Sequence, residues 1–211
     1  MTNSINFNTQ TLTITAGNFM VTLDYQARGH SGIDPVTRLL VLDKDNVGQG
    51  SIMIAISDKD GGEKRFLISG ITGGLYLHTT EEYCKACSVK LIDDTLIMSL
   101  GIKFLAFDLT TGDVKWILQP DPASLFEFYE LEDDFLLRGE MEIHRIDING
   151  SLLWSFSGKD IWVNIDGEKE VRIGDNCIFL TDFQGNKYTI DFNGETIPPN
   201  QTLADNDEKS S

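Results

Sequence analysis

Along most of the chain apolar and polar residues alternate with a period of two, the spacing of strands that bury one face. The run at 11–15 (Thr-Leu-Thr-Ile-Thr) alternates, residues 16–18 (Ala-Gly-Asn) turn, and 19–24 alternates back with Phe19, Val21 and Leu23 on one face. A hairpin is expected there. Denser apolar runs at 38–43 and 51–56 flank a stretch of turn formers, so their pairing as a second hairpin is expected. The runs at 65–69 and 75–78 flank Gly70-Ile-Thr-Gly-Gly and suggest a third. No helical period lasts long enough to compete. Residues 198–211 have little to bury and read as a frayed tail.

From about residue 85 the pattern repeats itself. Asp93-Asp94 ahead of Thr95-Leu-Ile-Met-Ser recurs as Asp133-Asp134 ahead of Phe135-Leu-Leu-Arg, then as Gly174-Asp175 ahead of Asn176-Cys-Ile-Phe-Leu. Next in each copy come a glycine turn (Gly101, Gly139, Gly185), a strand ending in aspartate (Asp108, Asp147, Asp191) and a second turn (Gly112, Gly150, Gly194). Asn149-Gly150 and Asn193-Gly194 favour two-residue hairpin turns. Trp116 is answered by Trp154, whereas the third copy ends in Ile197-Pro198-Pro199. Units of about 85–125, 126–165 and 166–197, each with about four short strands in about 40 residues, have the size of propeller blades. Phe107, Ile146 and Ile190, with Leu105, His144 and Tyr188 two positions earlier, mark a face expected to pack between blades.

The expected fold is therefore all-β and propeller-like, with three four-stranded repeats and a set of antiparallel hairpins over residues 1–80. Those hairpins either complete a small closed propeller or cap an open arc. Closure removes exposed edges and is physically preferred.

In the first unit Ala106, Asp108, Thr111, Gly112 and Trp116 reproduce Ala-x-Asp-x-x-Thr-Gly-x-x-x-Trp. This resembles the blade signature of quinoprotein-like (PQQ-like) β-propeller repeats. Asp147, Gly150 and Trp154 resemble it with one residue fewer in the turn, and Asp191 and Gly194 more faintly. The resemblance covers about residues 85–197 and none of the N-terminal part. It implies blades braced by the Trp, in a family that includes both cofactor-dependent dehydrogenases and cofactor-free assembly scaffolds. Three repeats fall short of the eight-bladed ring that houses the quinone, and no residues match its ligands. No cofactor is expected.

Charge narrows the partners. Against 17 basic residues stand 33 acidic ones, a formal charge of -16, which repels nucleic acid and anionic membranes and favours a basic partner. The opening residues lack the features of a signal peptide, and no run approaches a membrane span, so a cytoplasmic protein is expected. Three cysteines, an odd number, fit a reducing compartment.

Candidate chemistry is sparse. Cys84 and Cys87 have metal-ligand spacing, and His78 and Cys177 are conceivable further ligands, but a second Cys pair is missing and two ordinary half-buried cysteines are expected. The segment 43–48 starts like a calcium loop, yet Val47 and Ile54 stand at ligand positions, so it reads as a turn. The segment 58–63 is likewise a polar turn. Of His30, His78 and His144, the last falls on the inter-blade face and is expected in the core. No nucleotide-binding motif and no catalytic constellation are present, so no enzyme activity is expected.

Residues 121–142 carry eight acids (Asp121, Glu127, Glu130, Glu132, Asp133, Asp134, Glu140, Glu142) against Arg138, interleaved with Phe126, Phe128 and Tyr129. Aromatic anchors within a charged rim suit a protein interface. Glu127, Phe128, Tyr129, Glu130, Glu132, Asp133 and Asp134 are the expected contact region. The competing reading makes Phe126 and Phe128 strand core and the acids a solvated face. The functional expectation is a non-catalytic binding protein, in its sharper form an immunity-type inhibitor whose carboxylates cover a basic nuclease toxin. A degenerate quinoprotein-like enzyme and a generic scaffold are the alternatives.

Overall fold

The computed structural model describes residues 9–16, 19–28, 38–45, 49–58, 62–73, 75–79, 86–164 and 167–198. Among them there is no helix; the strands form four sheets.

The first sheet contains β1 (Thr9–Ala16), β2 (Phe19–Gln26), β3 (Arg38–Val41), β4 (Gly50–Asp58) and β5 (Glu63–Ile71), in the order β1-β2-β4-β5-β3. β1 and β2 pair as the expected hairpin, whose turn at residues 17 and 18 lies outside the described residues. The other two pairings differ from expectation. β3 runs parallel to β5 rather than antiparallel to β4, while β4 sits between β2 and β5. Residues 75–79 form no strand. The reason is burial: β4 aligns Ile52, Ile54 and Ile56 with Tyr25, Leu23 and Val21 on one side and Ile52 and Ile54 with Ile68 and Phe66 on the other. Four-residue β3, with Leu39 and Val41 exposed, offers far less and takes an edge.

The repeats form the remaining sheets. The second runs β10-β9-β8-β7 and the third β14-β13-β12-β11-β6. Their strands are β6 (Ala86–Cys87), β7 (Val89–Ile92), β8 (Thr95–Leu100), β9 (Lys103–Asp108), β10 (Val114–Leu118), β11 (Leu125–Glu130), β12 (Asp134–Gly139), β13 (Glu142–Asp147) and β14 (Leu152–Ser157). β6 precedes the second sheet in sequence but pairs with β11, stitching the third sheet to earlier chain. The fourth sheet has β15 (Val171–Ile173), β16 (Ile178–Thr181) and β17 (Lys187–Ile190). Its fourth strand is reduced to a bridge between Ile190 and Thr196 and a bond from Ile197 N to Thr189 O at 2.8 Å. Pro198 has no amide proton to extend it. The expected tail beyond Pro198 lies outside the described residues.

Apolar layers join successive sheets. Leu105 and Phe107 face Val21, Leu23, Ile54 and Phe66 of the first sheet. Ile146 and Phe128 face Ile97 and Phe104 of the second. Ile190 and Leu180 face Leu136 and Ile143 of the third. Every residue expected immediately before a repeat aspartate thus lies in an inter-sheet layer. The arrangement is propeller-like, but among the described residues the sheets do not close, so the open alternative holds there in place of the preferred ring. Among the described residues the fourth sheet ends the stack with Arg172 laid over Phe179 at 3.9 Å, a polar cover of the kind terminal repeats need.

The same device links the sheets at their outer side. Trp116 donates Nε1–H to Ile148 O at 3.0 Å, and Trp154 donates to Phe192 O at 2.9 Å. Each indole lies on the glycine of the next sheet's turn: a Cβ on Gly150 would stand 2.6 Å from Trp116, and one on Gly194 2.8 Å from Trp154. Phe66 covers Gly112 in the same way, so the first sheet is braced by a ring in place of an indole.

These turns are longer than the dipeptides suggest. Asp147 N bonds Ser151 O and Asp191 N bonds Glu195 O, each at 2.9 Å, leaving three residues in each loop. Only the glycines have positive φ, +83° at both Gly150 and Gly194; a two-residue type I′ turn needs positive φ at the asparagine as well. The aspartates decide the outcome. Asp147 accepts amide protons of Asn149 and Ser151, and Asp191 those of Asn193 and Glu195, an Asx turn that wraps the loop around the carboxylate.

Two measurements check this account. Gly150→Ala is expected to cost about 2–4 kcal/mol, combining left-handed strain with the tryptophan clash. Gly185→Ala, at φ +78° with nothing within 4 Å of a Cβ, is expected to cost only about 1–2 kcal/mol in urea unfolding.

The turn carboxylates also set the acid limit. Thr111 N holds the Asp108 carboxyl below its ordinary range, Ser151 N does so for Asp147, and Glu195 N for Asp191. Carboxyls with folded values below unfolded ones contribute stability above about pH 4, and it is lost as pH falls through the folded values. Asp147→Asn keeps an acceptor without the charge. Its unfolding free energy is therefore expected to depend less steeply on pH below 4 than that of the unaltered chain.

Candidate functional site: an acidic strand and turn

β11 and the turn into β12 carry the expected contact residues, and the fold divides them. Among the seven, Glu127 is half-buried in a two-pronged ion pair with Arg138, Nε to Oε1 at 2.7 Å and Nη2 to Oε2 at 2.6 Å. Arg138 also donates to Trp162 O at 2.6 Å and lies over Phe126 at 4.4 Å. Burial alone would push this guanidinium down, but Glu127, then Glu170, outweigh it and hold it up. Asp134 pairs with Arg145, whose Nε donates at 2.8 Å and whose Nη1 reaches Phe192 O in the turn after β17.

The aromatic residues turn inward. Phe128 is fully buried, with ring centroids 5.1 Å from Phe104 and 5.6 Å from Phe135. Tyr129 is buried on the opposite face, in the layer shared with the fourth sheet, and its hydroxyl meets Glu127 at 3.2 Å. As surface anchors both are corrected: adjacent strand residues face opposite ways, and both faces of the third sheet are covered.

Glu130, Glu132 and Asp133 reach solvent. Glu130 pairs with Lys90 of the second sheet, while Glu132 and Asp133 stand on the β11–β12 turn. Equivalent turns of the neighbouring repeats present exposed Asp93 and Asp175. Each turn joins the first two strands of its repeat, so repetition sets the turns along one side of the stack. The sequence signal for this was the recurring acid itself, which also serves as a landmark of the repeat.

At the other end of the third sheet lies a buried polar cluster. Asp121 is fully enclosed and accepts amide protons from Ala123 at 2.7 Å, Met141 at 3.1 Å and Glu142 at 2.9 Å. His144 is buried beside Ile146, with Nδ1 2.8 Å from Ser155 Oγ and Nε2 3.6 Å from Asp121 Oδ2. Burial pushes the imidazole's pKa down despite the nearby Asp121 and Glu142 carboxylates. Asp, His and Ser are thus adjacent, but 3.6 Å is too long for the hydrogen bond that orients a catalytic imidazole. The three amides on Asp121 make it a clasp for two loops.

Cys84 and His30 lie outside the described residues, as do residues 46–48 of the calcium-like segment. Cys87 is buried, with Sγ 3.7 Å from Phe128 O. His78 stacks on Tyr76. Among the described residues no three His, Cys, Asp or Glu gather as a metal site, and no helix is long and apolar enough to cross a membrane.

No protein-family model matches the chain, and no curated protein does. Similar solved structures include BamB from Moraxella catarrhalis (11% identity, TM-score 0.41, 88% of this chain and 62% of that one). AztD from Citrobacter koseri, in its apo form, is 14% identical with a TM-score of 0.45, over 89% of this chain and 57% of that one. The computationally designed Ika8 protein is 14% identical with a TM-score of 0.43, over 88% and 59%. The chain thus spans less than two thirds of the length of these three structures. At such TM-scores the likenesses are too loose to bear on function.

Arg138→Met is expected to leave Glu127 half-buried without its counter-charge and to cost about 3–5 kcal/mol in urea unfolding. Glu127→Met with Arg138→Met is expected to recover only part of that loss, because Glu170, 3.4 Å from the guanidinium, and Trp162 O still lose their partner.

Proposed function

We propose that this chain is a non-catalytic, cytoplasmic protein-binding module whose acidic side recognises a basic protein. In its sharpest form it is an immunity-type inhibitor that neutralises a nuclease toxin. One observation carries the reading: acids recur on the exposed turns of successive sheets, Asp93, Glu132, Asp133 and Asp175, on a chain of formal charge -16. Carboxylates repeated along one side resemble a phosphate backbone to a basic surface, and they raise the encounter rate of a cationic partner. Nucleic acid and anionic membranes are repelled by the same field.

In this reading the blades are quinoprotein-like repeats used as a scaffold, without a cofactor. Glu130, Glu132 and Asp133 make the contact. Glu127, Phe128, Tyr129 and Asp134 act beneath them, keeping strand and turn rigid so that little is lost in ordering the surface on binding.

The test is capture from native cytosol on the immobilised chain at low salt, followed by association kinetics with the retained protein. A basic protein released by raising salt is expected, and Glu132→Gln with Asp133→Asn should slow association about fivefold. Retention of no basic protein, or association indifferent to salt, overturns the reading.

A further inference from the structure

Edge strands of soluble proteins are normally blunted by charge, proline or cover, because their free backbone groups invite another strand. Most edges here follow that rule. β10 carries Lys115, β7 Lys90 and β3 Arg38, the last paired with Asp113 at 2.6 Å. β1 has no charge, but its Gln10 bonds Leu75 O at 2.8 Å and Leu77 N at 2.6 Å, tying residues 75–77 to it.

β14 is different. It is the last strand of the third sheet on its side, and its sequence Leu-Leu-Trp-Ser-Phe-Ser has neither charge nor proline. Leu152 and Leu153 are each 49% exposed.

A groove of about 440 Å³ begins where β14 ends, at Ser157. Pro122, Met141 and Ile161 supply apolar lining, and Glu142, Lys159 and Asp160 are its charged residues. Glu142 accepts a bond from Ser157 Oγ at 2.7 Å, and Asp160 accepts one from Ile161 N at 2.8 Å. Among the described residues neither carboxylate is in an ion pair. Two carboxylates against the one ammonium of Lys159 leave the apolar slot net acidic, which fits the aliphatic stem and cationic head of a lysine or arginine.

We propose that the β14 edge accepts an extended strand of a basic partner protein, prolonging the third sheet, and that a lysine or arginine of that strand enters the groove toward Glu142 and Asp160. The partner's basic character rests on the reading above; the edge and groove are independent of it, and the groove lies at the opposite end of the third sheet from the Glu132–Asp133 turn. Charge disfavours a second copy as the occupant, since each carries -16. Main-chain bonds would supply affinity, and the groove would select the side chain.

The probe is the capped peptide Val-Thr-Val-Thr-Val-Arg, titrated to millimolar concentration into the isotope-labelled chain while backbone amide shifts are followed. Shifts are expected along residues 152–157 and at Glu142 and Asp160. Citrulline in place of the arginine, or Glu142→Gln with Asp160→Asn in the chain, should weaken binding about fivefold or more. A peptide N-methylated at alternate residues should not bind. Absence of shifts on β14, shifts confined to the 131–134 turn, equal binding of the citrulline peptide, or β14 engaged by a second copy without peptide overturns the proposal. The two readings fail separately. Peptide binding on β14 with no basic protein retained from cytosol removes the earlier reading alone. Retention lost with Glu132→Gln and Asp133→Asn but unchanged by Glu142→Gln and Asp160→Asn, in a chain whose β14 amides ignore the peptide, removes this one.

Discussion

An aromatic ring laid on a glycine turn is the contact on which the stack depends. It occurs at each of the three junctions: Phe66 on Gly112, Trp116 on Gly150 and Trp154 on Gly194. The glycine is required twice over, by positive φ and by the absence of a Cβ where the ring lies. Each indole also spends its N–H on a carbonyl in or beside the same turn, Ile148 O or Phe192 O, so the polar atom is satisfied without leaving the apolar junction. Because the aspartate at the head of each loop shapes the turn that receives the ring, local turn chemistry and long-range packing reinforce each other. Such agreement between levels favours one arrangement over its competitors.

An open stack raises problems that a ring avoids. Its end faces must be tolerable in water and its strand edges must not pair at random. Arg172 over Phe179 deals with the face of the fourth sheet, and Pro198 stops the short segment beside β17. Lysines and arginines guard several edges. Against this background the uncharged edge of β14 is an exception, and exceptions of this kind are where binding surfaces tend to be found.

The acidic segment serves two purposes. Glu127 and Asp134 are internal, matched to Arg138 and Arg145, which in turn reach carbonyls near the fourth sheet, Trp162 O and Phe192 O. Such pairs add little net stability over an apolar pair, yet removing one partner is costly. Glu130, Glu132 and Asp133 are external and contribute to the field. Counting charges along the sequence cannot separate these groups, because the separation depends on which arginine the next strand brings opposite each acid.

The sequence by itself determined the strand content, the repeat near 40 residues and the face of Phe107, Ile146 and Ile190 that packs between sheets, because period-two patterning and glycine turns are local properties. It also determined the location of the Trp braces, since a conspicuous ring recurs at a constant offset from an aspartate. Tertiary structure alone decided the partner of each strand in the first sheet: alternation says that β3, β4 and β5 have a buried face but not which neighbour offers the most area. It alone decided that β6 joins the third sheet, that Phe128 and Tyr129 point into two different cores, and that the stack stays open. Those outcomes depend on burial summed over residues distant in the chain, which no local pattern records.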